Sequence, residues 1–302
     1  MTLPTAIIAG APKCGTSSLF AWLVAHPDVC GSKLKETRYF LDRDHPLLDP
    51  RSNFHDHGLA GYEAHFEACA DGGAKVVLEA TPQYIYSETA LEVLPGLEPL
   101  PELVFLLRRP SERAYSAYQF ARNNQALLDR EVTFRDFVGM VERRDPAVAG
   151  RRKLDDVLDY GRYADYLGRW LARVPRAKVH VFLFEDLTRD NRAFMKAAAA
   201  ALGLDPGFYD AYDFPLKNLT YQVKLQSLHR LRSKVGRRLP REGRTKTLLR
   251  KATKGAYALN VVRTRPAKSD DDYAVLAELD SEYAADNDRL AREAGLDLSA
   301  WR

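Results

Sequence analysis

The stretch Thr5-Ala-Ile-Ile-Ala-Gly-Ala-Pro-Lys-Cys-Gly-Thr-Ser-Ser-Leu-Phe-Ala-Trp-Leu23 decides the fold class of this 302-residue chain. It passes from an apolar run through a glycine-bearing turn into a helical pattern. Ile7 and Ile8 read as the end of a buried strand. Gly10 and Gly15 let the backbone turn tightly and approach an anion. Thr16, Ser17 and Ser18 open a helix that continues through Leu19, Phe20, Trp22 and Leu23. The unpaired N–H groups of that helix end would point at a phosphate. Gly10 and Gly15 keep the separation of the G-x-x-x-x-G-K-[ST] loop, but Thr16 stands where lysine belongs. The lysine lies inside the loop, at Lys13. That displacement points to a nucleotide with no transferable γ-phosphoryl group. The plainer alternative is a strand, turn and helix carrying a surface lysine.

Working outward, further short apolar runs predict strands over residues 6–9, 75–78, 103–107 and 178–184. Helical patterns lie between them at 16–25, 61–68, 110–124, 134–143, 161–174 and 189–202. A last helix is predicted over 271–294, stopped by Gly295. Alternation of this kind predicts an α/β fold, three layers (α/β/α) around a central parallel sheet. Residues 42–57, with Pro46 and Pro50, and residues 145–153 read as loops. One domain is expected over 1–302, with a basic, more variable segment at 217–268. The run Leu103–Leu107 ends at Arg108-Arg-Pro-Ser-Glu-Arg-Ala-Tyr-Ser-Ala-Tyr118, where Pro110 suits the first position of a helix. Arg108 therefore falls at the carboxyl end of a strand, where open α/β sheets bind ligands. Ser116 follows about two turns into the helix. Arginine and hydroxyl so placed could hold a second phosphate. Alternatively, Arg108 and Arg113 pair with carboxylates such as Glu112.

The hydrophobic content of 46% and charged content of 28% fit a soluble globular protein. No apolar run reaches the roughly 20 residues needed to span a bilayer. No secretory signal pattern opens the chain. Cys14, Cys30 and Cys69 cannot all pair with one another, and no metal-ligand spacing is present. Residues 217–268 hold sixteen Lys or Arg against one acid, Glu242, although the whole chain is only +4. Such a segment attracts anions: a nucleotide, an acidic glycan, anionic lipid or nucleic acid. Leu225, Leu228, Leu231 and Val235 among basic residues predict an amphipathic basic helix over 225–239. Peripheral contact with an anionic or membrane surface is one reading of it, and a solvated helix packed on the domain is the other. No recognised DNA-binding motif appears.

Four motifs in order carry a resemblance: the loop from Gly10 to Ser18, Lys35-Glu-Thr-Arg-Tyr-Phe40, Glu79-Ala-Thr-Pro-Gln-Tyr84, and Leu107-Arg-Arg-Pro-Ser-Glu-Arg-Ala-Tyr-Ser116. Together they resemble the sulfotransferases that use 3′-phosphoadenosine 5′-phosphosulfate (PAPS), nearest the heparan sulfate branch and its bacterial relatives. The resemblance extends through Tyr160-Gly-Arg-Tyr163 with Trp170, through Val179–Phe184 with Glu185-Asp186-Leu187, and to Asp297-Leu-Ser-Ala-Trp301. It implies transfer of a sulfuryl group from PAPS to a hydroxyl or amine, releasing PAP, with no metal required. The acceptor would be a carbohydrate, glycolipid or secondary metabolite. The resemblance, with no anchor seen, implies a cytoplasmic bacterial enzyme, with peripheral contact at the inner membrane face possible.

The resemblance also assigns roles. Lys13 would contact the 5′-phosphosulfate, within a loop of Cys14, Gly15, Thr16, Ser17 and Ser18. Arg108 and Ser116 would grip the 3′-phosphate. Tyr163 would lie near the base, and Lys224 would add a phosphate contact. Glu36 would be the general base, the alternative for it being a salt bridge to Lys35, Arg38 or Lys13. Arg38 stands where the family has histidine, and Ala80 where the heparan branch has lysine, so a heparan-like acceptor does not follow. Glu79 is a second candidate, orienting Lys13 or touching the acceptor, and His55 or His57 is an alternative base. The competing readings are a P-loop-like kinase or NTPase, and a nucleotide-regulated protein that binds anions or membranes.

Overall fold

The computed structural model describes residues 2–125, 127–149, 152–215, 222–223, 261–262 and 267–302. Lys224 and most of the basic segment, including the helix expected over 225–239, lie outside the described residues. Five strands form the main sheet: β1 (Ala6–Gly10), β2 (Val29–Gly31), β3 (Val76–Glu79), β4 (Glu102–Leu107) and β5 (Val179–Leu183). All neighbours are parallel, in the order β2-β3-β1-β4-β5. The α/β expectation is borne out. Every residue of β1 and β3 is buried, and so are the last five of β4. Strands covered on both faces read as continuous apolar runs rather than alternating ones. The edge strand β2 has three residues, too few to register as a run.

Helix α1 (Thr16–Leu23) leads from β1 towards β2. Helix α2 (Phe54–Glu63) lies between β2 and β3. It begins inside the segment expected to be a loop. Asn53 caps it by accepting from the Asp56 N–H at 3.1 Å, and Gly58 kinks it with φ of 55°. After α3 (Glu88–Val93) and β4 come α4 (Pro110–Gln119), α5 (Phe134–Glu142), the short α6 (Arg152–Asp155) and α7 (Tyr163–Leu171). Pro110 begins α4 as expected. Helices α8 (Phe184–Arg189) and α9 (Asn191–Ala201) follow β5. The last helix, α10 (Asp270–Ala294), starts on a Ser269–Asp272 capping box and stops at left-handed Gly295.

The chain leaves β1 toward β2 on one side but reaches β4 on the other. Right-handed crossovers running in opposite directions place their helices on opposite faces of the sheet. The contacts agree: α1 packs with α9, while α10 packs with α4 and α7. The direction switches between β1 and β4, and the crevice at their carboxyl ends is where such sheets bind ligands. The loop after Gly10 and Arg108 both open into that crevice. Cys30 and Cys69 form a disulfide tying the edge strand β2 to the turn Glu67–Cys69, and Cys14 is free.

Candidate active site

The loop Ala11–Gly15 turns back across β4, with the Ala11 N–H donating to the Leu106 carbonyl at 2.9 Å. Two of its residues take left-handed conformations, Lys13 at φ 73° and Gly15 at φ 92°. A Cβ on Gly15 would come within 2.8 Å of the Phe184 ring, so glycine is required there twice over. Gly15 is also the N-cap residue just before α1 and offers no capping side chain. Among the described residues, the N–H groups of Gly15, Thr16 and Ser17 have no acceptor, whereas Ser18 N–H bonds the Gly15 carbonyl at 2.9 Å. Three free donors at a helix start form an anion cradle.

Lys13, from the same loop, places its Nζ 3.6 Å from the centre of the Phe120 ring. Burial, and secondarily the charge of Arg108, pull its pKa down to about 8, although Cys14 and Glu36 act to raise it. A lysine so placed gains most from an anion arriving beside it. Cys14 plays an internal part. Its N–H bonds Ala11 O at 3.3 Å, and its thiol lies 3.5 Å from the Tyr163 hydroxyl. Burial pushes that thiol up to about 11, so it stays protonated and is no nucleophile at neutral pH.

Tyr163 is buried among the core side chains. Its hydroxyl donates to the Arg108 carbonyl at 3.0 Å and meets Cys14, bracing the loop against the end of β4. The Arg108 guanidinium packs 4.8 Å from the Phe184 ring centre and pairs with Glu112 at 2.8 Å. The expected Glu112 pairing is therefore present for Arg108. Lys268 bonds the other oxygen of Glu112. Arg108, Glu112 and Lys268 thus form one cluster beside α4, the helix that carries Ser116. The sequence reading missed Lys268, whose only mark is its place just before the Ser269 cap. It also missed Phe184, the wedge between Gly15 and Arg108.

Glu36 is held between two cations, Lys35 at 3.2 Å and Arg38 at 2.8 Å. Burial alone would raise its pKa, but Lys35 and then Arg38 outweigh it, so the carboxylate stays below its usual range. Its charge reaches Lys13 as well. Glu79 has no exposed surface. It accepts from Thr37 Oγ1 at 2.9 Å, Thr37 N–H at 3.3 Å and Tyr62 at 3.3 Å, and from the Thr81 hydroxyl. Burial raises it to about 7 against those bonds. Glu79 therefore anchors the Lys35–Phe40 segment from beneath. His55 is turned onto the Leu41 carbonyl at 3.0 Å, and His57 is exposed on α2.

The profile described as "Sulfotransferase domain" matches residues 3–246. The chain is 30% identical over 203 residues to heparan sulfate glucosamine 3-O-sulfotransferase 6 of Mus musculus, covering 67% of this chain and 52% of that one. It is 25% identical over 211 residues to bifunctional heparan sulfate N-deacetylase/N-sulfotransferase 3 of Homo sapiens, covering 68% of this chain but 23% of the relative. The crystal structure of a sulfotransferase from Alicyclobacillus acidocaldarius superposes with a TM-score of 0.64 at 25% identity, covering the whole of both chains. With the profile matching most of its length, the chain belongs to the sulfotransferase family.

Proposed function

We propose that the chain moves a sulfuryl group from PAPS to a hydroxyl or amine of an acceptor and releases PAP. The observation that carries this reading is the convergence of two cationic anion sites on the crevice between β1 and β4. One is the Gly15–Ser17 cradle with Lys13, and the other is the Arg108 cluster. The residues present fit the donor: the cradle and Lys13 for the 5′-phosphosulfate, and Arg108, Ser116 and Lys268 for the 3′-phosphate. The Glu112 carboxylate now on Arg108 and Lys268 stands where phosphate oxygens would compete for the same donors.

In the transfer, an acceptor oxygen or nitrogen attacks sulfur, the bond from sulfur to the bridging phosphate oxygen breaks, and PAP leaves with the electron pair. Lys13 stabilises the charge growing on that bridging oxygen, a preorganised contact worth about 3–4 kcal/mol. Glu36, kept ionised by Lys35 and Arg38, takes the acceptor proton. The test is transfer from PAPS labelled in its sulfuryl group across a panel of acceptors, with Lys13→Ala and Glu36→Gln as controls. Labelled product that both variants abolish supports the reading. Undiminished transfer in both controls refutes the roles of these residues, and magnesium-dependent ATP turnover with no use of PAPS refutes the reaction.

A further inference from the structure

A cavity of about 130 Å³ has Lys13 in its wall and extends away from the Gly15–Ser17 donors and from Arg108, none of which lines it. One wall is the stacked pair Tyr86 and Tyr160, with ring centres 3.8 Å apart and planes 8° from parallel. Leu47, Phe120 and Val157 supply apolar surface. An apolar cavity of about 150 Å³ accommodates one benzene ring, so this one suits a single aromatic ring with a short arm.

Arg113 lines the same cavity and is only 1% exposed. Among the described residues its guanidinium makes one hydrogen bond, from Nη2 to the Val157 carbonyl, and pairs with no carboxylate. Its Nε is buried with no partner. The carboxylate pairing expected for this residue is therefore not made among the described residues. A buried guanidinium without a counter-ion is costly, and a ligand that brings an anion removes the cost. Gln83 also lines the cavity, and its Oε1 is buried without a donor. It can accept from a ligand hydroxyl. Lys13, at the transfer centre, is part of the same wall.

We propose that the acceptor of this chain is a small hydroxyaryl carboxylic acid, bound with its ring against Tyr86 and Tyr160 and its carboxylate on Arg113. The proposal rests on the sulfotransferase reading for the reaction, but not for the binding. The phenolic oxygen then attacks sulfur, its proton passes to Glu36, and the aryl O–S bond replaces the bond to the bridging phosphate oxygen.

The test compares 3-(4-hydroxyphenyl)propionate, its methyl ester and a heparan sulfate oligosaccharide, by calorimetric binding to the full chain and by labelled sulfuryl transfer. The expected result is binding of the acid about tenfold or more tighter than the ester. Arg113→Gln should bring the acid down to the level of the ester, and Arg113→Lys should restore part of the preference while PAP affinity holds. Acid and ester binding equally in the wild-type chain would overturn the proposal, and that comparison needs no variant to fold. So would an Arg113→Gln variant that slows transfer to both alike, because Arg113 would then act on the sulfuryl group. Exclusive use of the oligosaccharide would also overturn it. Loss of PAP binding by the wild-type chain would sink the sulfotransferase reading instead, because the preference for acid over ester is measured without donor.

Discussion

Lys13 gives the sharpest quantitative expectation. Without an anion its pKa is about 8, set first by burial and then by Arg108. A 5′-phosphate on the loop returns it toward the ordinary lysine value of about 10.4. Binding is then tighter when Lys13 is protonated. PAP affinity should be flat below about pH 8 and fall about tenfold per pH unit above it. By the same arithmetic, binding takes up about 0.1 proton at pH 7, about 0.5 at pH 8 and about 0.9 at pH 9. Calorimetry of PAP binding in buffers of different ionisation enthalpy reads this number directly. Work at pH 8–9 avoids phosphate titration, whose second pKa is near 6. Lys13→Met should abolish the uptake. Proton uptake that is absent in the wild-type chain at pH 8–9, or that persists in Lys13→Met, would refute the reasoning.

Further expectations follow from the same geometry. The folded pKa of Lys13 lies below its unfolded one, so the charge opposes folding below about pH 8 and this cost fades towards pH 10.5. At pH 7, unliganded Lys13→Met should therefore be more stable than wild type in urea unfolding, by up to about 3 kcal/mol. Glu79 has the opposite sense: its folded pKa of about 7 lies above the usual carboxylate value of 4.5, so its contribution is full below pH 4.5 and is lost as pH rises through 7. Melting curves between pH 4.5 and 8 should show this loss in wild type, about 3 kcal/mol in all, and not in Glu79→Gln. The Cys30–Cys69 bridge closes a separation of 39 residues, which in the chain-entropy account is worth about 4 kcal/mol. Denatured, unreduced protein should titrate one thiol, Cys14, and reduction should lower the melting temperature; three thiols would deny the bridge. Because disulfides persist mainly in oxidising compartments, rapid alkylation in the native cell also tests the cytoplasmic expectation.

The sheet was legible where burial on both faces left unbroken apolar runs, as in β1 and β4. It was not legible at β2, where three residues, one of them glycine, carry too little pattern. Helix α2 was hidden by prolines upstream and by Gly58 within, although Asn53 three residues before Asp56 is a readable cap. The anion loop could be read because its chemistry is local. The roles of Tyr163, Glu79 and Arg113 could not, because each depends on contacts across the fold. Tyr163 meets a carbonyl 55 residues away, and Glu79 holds a threonine 42 residues away. Glu112 beside both arginines in sequence suggested pairing for each, yet helical geometry gives it to Arg108 at i, i+4 and leaves Arg113 facing the cavity.

The central claim is that one crevice grips two phosphates, with Lys13 on one side and Arg108 on the other. Calorimetric titration with PAP and with AMP, on wild type and Arg108→Ala, tests it most directly. The account requires PAP to bind wild type at least tenfold tighter than AMP, from charge-assisted bonds worth about 1.5–3 kcal/mol each, and Arg108→Ala to erase most of that difference while AMP binding holds. Equal affinity for PAP and AMP in the wild-type chain would contradict it.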